Sequence, residues 1–95
     1  MSVTLTPKNK AIAGINVANG TFNTLLNGPL KPILCNAQTV SAHDLSCNAL
    51  QAEECAKALE KWVPPTGWFM EGKEYTGLVM FMDFFRRCSG CELSR

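Results

Sequence analysis

The chain lacks the short motifs that most readily announce a reaction. It has no G-x-x-x-x-G-K-[ST] or G-x-G-x-x-G phosphate loop, no G-x-S-x-G nucleophile elbow, no H-E-x-x-H pair and no EF-hand loop. Charge is also scarce. Charged residues make up 18% of the chain, below the usual quarter, and the formal net charge is +1. That balance gives no general electrostatic case for binding nucleic acid or an anionic membrane. Acids are missing altogether before Asp44, where Lys8, Lys10 and Lys31 are the only charged side chains. Three lysines are too few for a nucleic-acid patch. No apolar run approaches the roughly 20 residues that a bilayer-spanning helix needs. The opening MSVTLTPKNK has no apolar h-region of a secretory signal. The expectation is therefore a cytoplasmic protein with reduced cysteines. The cysteine count, 5, is odd, which argues against a closed disulfide framework. There is no lipidation box, low-complexity tract, internal repeat or marked boundary, so residues 1–95 are expected to form one domain.

What the chain does have is apolar content. Hydrophobic residues make up 46% of its 95 positions, enough for a folded domain rather than a disordered one. The densest part is EYTGLVMFMDFFRRCSGC, Glu74–Cys91. Leu78, Val79, Met82 and Phe85 recur at helical spacing, and Met80, Phe81 and Phe84 fill a second face. Arg86 and Arg87 suit the negative end of a helix dipole, and Gly90 suits a left-handed cap. The spacing predicts a helix over 75–88, with Thr76 able to cap it. A stripe this wide allows two readings. It is the central helix of a small core, or one face of it, Met80, Phe81 and Phe84, meets a second copy or another protein. Small chains have limited core in which to hide large side chains, and Met and Phe are enriched at interfaces.

The remainder reads as α+β. Ser2–Thr6 alternates and suits a short strand, broken by Pro7. Ala11–Val17 suits a second, which can pair with the first as a hairpin, with Gly14 weakening it or marking a bulge. Asn19 or Thr21 can cap a helix over 20–27 that Asn27-Gly28-Pro29 ends. Leu30–Gln38 is a connector or short strand containing Cys35. A longer helix, over 44–63, has two candidate caps, Ser41 and Asn48, and keeps helical period through Ala52, Cys55, Ala56 and Leu59. Its small residues fit the bulky helix at 75–88, and the two are expected to pack antiparallel. Pro64-Pro65 ends it, and Trp68–Met70 is a further candidate strand.

Candidates for chemistry are few. Cys88-Ser89-Gly90-Cys91 is a C-x-x-C pair, able to exchange a disulfide or chelate a metal. It follows a helix instead of opening one, so the dipole does not activate it, and no second C-x-x-C completes a zinc set. Packing thiols near a frayed end, a redox pair and a metal site all remain open. His43, the only histidine, lies four residues before Cys47, a spacing that allows a Cys–His pair. A solvated or capping histidine is the plainer reading. Trp62 and Trp68 flank the Pro-Pro turn and pack around it or offer an aromatic binding surface. Together these features predict a small intracellular interaction protein without catalysis, self-associating through its C-terminal helix and needing no cofactor. The alternative is a thiol-redox or metal-binding protein using Cys88 and Cys91.

Overall fold

The computed structural model describes residues 2–34 and 44–94. Within them, β1 is Ser2–Pro7, β2 Ile15–Ala18, α1 Asn19–Leu26, α2 Lys31–Leu34, β3 Asp44–Cys47, α3 Ala49–Glu60, α4 Glu74–Arg87 and β4 Cys91–Ser94. The strands form one antiparallel sheet in the order β2-β1-β4-β3. This is the expected α+β class.

Alternation decides which side of the sheet faces the core. Val3, Leu5, Val17, Cys47, Cys91 and Leu93 are buried, while Ser2, Thr6, Asn16, Ser46, Glu92 and Ser94 are exposed. A strand pattern with a period of two makes one apolar and one polar face. On the polar face the Asn16 amide donates to the hydroxyls of Thr4 (2.8 Å) and Ser2 (3.2 Å). β1 and β2 form the anticipated hairpin, in the register Ser2↔Ala18 to Leu5↔Ile15. The second strand is only Ile15–Ala18, because the chain bends and turns through residues 8–12 before it. Gly14 is then held against β1. A Cβ on Gly14 would lie 2.8 Å from the Leu5 carbonyl oxygen.

The long central helix starts later than 44. Asp44–Cys47 is strand β3, and Asn48, the later of the two candidate caps, opens α3. Its Oδ1 accepts from the Gln51 N–H at 2.8 Å, and Gln51 Oε1 accepts from the Asn48 N–H at 2.9 Å. This reciprocal capping box satisfies two otherwise orphaned donors. Segment 31–34, expected as connector or strand, is a single helical turn. Pro32 fits there because the first turn of a helix has no use for its missing N–H. Trp68–Met70 is a bend, not a strand. Helix α1 begins at Asn19 without a side-chain cap. Thr21 instead donates to the Trp68 carbonyl at 3.2 Å, and the Trp68 indole donates to the Thr21 carbonyl at 2.9 Å.

Helices α3 and α4 pack most extensively against each other. Ala52, Cys55, Ala56 and Leu59 of α3 are buried, as are Leu78, Phe81, Phe84 and Phe85 of α4. Phe81 is completely buried, with ring centroids 6.4 Å from Phe22 and 6.0 Å from Trp68. Gly77 lets α4 sit on Phe69, whose ring carbons would lie as close as 2.7 Å to any added Cβ. Among the described residues no helix is long and apolar enough to cross a membrane.

Candidate functional site

Four of the five cysteines come from four different elements and gather at one end of the sheet. Cys47 ends β3, Cys55 lies on the buried face of α3, Cys88 caps α4 and Cys91 opens β4. All are free thiols, and each is buried. Cys47 and Cys91 are directly opposed in the β3–β4 ladder, and their sulfurs approach to 3.2 Å. The Cys88 thiol points to the Phe85 carbonyl at 3.7 Å.

The turn carrying Cys88 and Cys91 is held rather than frayed. Ser89 (φ 55°) and Gly90 (φ 101°) both take left-handed backbone conformations. At Gly90 a Cβ would stand 2.8 Å from the Cys47 carbonyl oxygen, so only glycine lets the turn close on β3. The loop after β1 clamps the other side. Lys8 N–H donates to the Gly90 carbonyl at 2.9 Å and Asn9 N–H to the Cys88 carbonyl at 2.8 Å. The Asn9 side chain adds a bond to the Arg87 carbonyl at 2.8 Å.

The electrostatics distinguish the four thiols. Cys47 is lowered to about 7, because Cys91 donates to its sulfur, with burial opposing and the Lys8 charge assisting. Cys91 is raised, first because it keeps the proton it donates to Cys47 and then because it is buried. The two therefore titrate as a pair sharing a proton. Burial pushes Cys55 and Cys88 up, and the neighbouring thiols add to it. A pair in contact can undergo two-electron oxidation, whereas Cys55 and Cys88 behave as protonated core residues. Among the described residues no three His, Cys, Asp or Glu side chains are disposed to hold a metal ion. Cys35 and His43 lie outside the described residues, and with His43 the Cys–His pairing with Cys47.

The C-terminal helix offers a second candidate. Phe81 and Phe84 of the anticipated interaction face are core residues, and Met80 is half-buried. Met80 and Phe84 border a shallow cleft of about 260 Å³ with Ile12 and Ile15, rimmed by Asp83 and Arg87. The large apolar side chains of α4 left open are Tyr75 and Val79, 62% and 60% exposed, and Leu50, Val63 and Met70 outside this helix are open too. Tyr75 and Val79 lie one helical turn apart. Helical spacing alone groups Val79 with Leu78 and Met82. The buried face is centred on Phe81 instead, with Gly77 one turn before it on the same face. The tryptophans meet edge to face, with centroids 5.0 Å apart. Trp68 is buried and bonded to Thr21, and Trp62 packs against the core.

No family model, curated protein or solved structure matches this chain.

Proposed function

We propose that this chain is a small non-catalytic interaction protein that associates with a second copy of itself through the outer stripe of α4. The observation that carries the reading is the exposure of Tyr75 and Val79 on one helical stripe. Half-buried Met82 continues that stripe, Arg86 ends it, and Glu71 precedes it just ahead of the helix. The stripe is self-complementary when two copies run antiparallel. Val79 then meets Val79, Tyr75 meets Met82, and Glu71 meets Arg86. A twofold contact requires such a patch. In the single chain Arg86 pairs with Glu60 across the α3–α4 groove, and both remain about half exposed, so that pair leaves Arg86 available to a second carboxylate.

Light scattering on a size-exclusion column tests the reading. The wild-type chain is expected to elute with the mass of two chains, and Val79→Glu with the mass of one, its circular dichroism unchanged. A wild-type chain that stays monomeric as concentration rises contradicts it. A second reading, thiol chemistry, is favoured by the contact between Cys47 and Cys91.

A further inference from the structure

We infer that Cys47 and Cys91 form a dithiol–disulfide site, oxidised by a low-molecular-weight disulfide, whose bond staples edge strand β3 to β4. The C-x-x-C spacing points to Cys88 and Cys91 as the pair; the fold sets Cys91 against Cys47 instead. Three observations carry this. The two residues face each other in an antiparallel ladder. Their sulfurs already stand 3.2 Å apart, while the Cys88 thiol, which also neighbours Cys91, makes its contact at 3.7 Å with the Phe85 carbonyl of its own helix. The turn that brings Cys91 to β3 depends on Gly90 and on clamps from Lys8 and Asn9, so the juxtaposition is held by elements distant in the chain. The lowered Cys47 thiol fits a first attacking group.

The reaction balances as two exchanges. The Cys47 thiolate attacks one sulfur of the disulfide RSSR, giving Cys47–S–S–R and releasing RS⁻, which takes up the proton that Cys47 gave to solvent. Cys91, losing its proton, then attacks the Cys47 sulfur. The Cys47–Cys91 bond forms, the bond to R breaks, and the second RS⁻ takes up the Cys91 proton. The dithiol is oxidised by two electrons and RSSR is reduced to two RSH. Both thiols are buried, so the oxidant enters when β3, a four-residue strand at the sheet edge, opens from β4.

The test treats the reduced protein with oxidised glutathione and follows intact mass and disulfide-linked peptides. The wild-type chain is expected to lose the mass of two hydrogens and to yield a peptide joining Cys47 to Cys91. Cys88→Ser should keep that loss in full, and Cys47→Ser should abolish it. Cys91→Ser should stop at a glutathione adduct on Cys47. A bond from Cys91 to Cys88, from Cys47 to Cys35 or Cys55, or a mass unchanged in the wild-type chain overturns the inference. The wild-type peptide map decides even where a variant fails to fold.

Discussion

The two faces of α4 are built from similar residues and meet opposite fates. Phe81, Phe84 and Phe85 turn inward, into the core that holds Phe22, Trp68 and the small residues of α3. Tyr75 and Val79, also bulky, turn outward. The difference is one of available cover. A chain of this size has one sheet face and a few helices with which to bury surface, and those are taken up by the side centred at Phe81. Hydrophobicity at helical spacing therefore marks a helix with more apolar surface than its own domain covers, and the uncovered part is where the proposed contact lies.

Substitutions sharpen this contrast. Phe81→Ala should lower the unfolding free energy by about 3–5 kcal/mol, the usual result of emptying a packed aromatic site. Val79→Ala should stay within about 0.5 kcal/mol in the monomer. Urea denaturation of both variants at low concentration checks the pair, and equal effects would erase the distinction between faces.

The thiols at the end of the buried face add a pH signature. Cys55, Cys88 and Cys91 are raised in the folded state. Above the ordinary thiol range the unfolded chain releases protons that the folded chain retains. Stability should then fall with rising pH, by about 1.4 kcal/mol per pH unit for each retained proton. Cys47 acts with the opposite sign. Its folded thiol ionises near 7, below the unfolded value, so its contribution is full above the ordinary thiol range and is lost as pH falls through 7. A stability maximum at mildly alkaline pH is expected from denaturation in reducing buffer. A flat profile would remove the thiols from the balance.

Gly77→Ala should cost about 1–3 kcal/mol by driving a methyl into the Phe69 ring, visible as a lower denaturation midpoint. Asn48→Ala should cost about 1 kcal/mol through loss of the α3 cap. It should leave the α4 faces unchanged.

Much of this architecture is legible from local signals. The stripe at 75–88 marks α4 to within a residue at each end, and the β1–β2 hairpin follows from alternation, although Pro7 closes β1 opposite Cys91 instead of breaking it. Of the two candidate caps at Ser41 and Asn48, pairing of 44–47 as a strand selects Asn48. What is not legible depends on distant pairing. Cys91–Ser94 alternates over four residues only, too short for a period to stand out, and becomes a strand because β1 and β3 lie on either side of it. Asp44–Cys47 continues the helical period of α3 when read alone, and its strand pairing with β4 decides otherwise. The Cys47–Cys91 contact spans 44 positions and has no local signature. The C-x-x-C motif names Cys91 but not the residue across the ladder from it. Which α4 residues stay outside is hidden for the same reason, since only the packed fold shows how much cover Phe81 takes.

The most direct measurement on the outer stripe is sedimentation equilibrium of Glu71→Arg, Arg86→Glu and the double variant. Antiparallel pairing of two α4 helices predicts that each single reversal weakens the dimer and that the double reversal restores it. In the double variant the arginine placed at position 71 of one copy would again face an acid, the glutamate placed at position 86 of the other. Single reversals without effect, or a double variant no stronger than either, would contradict it.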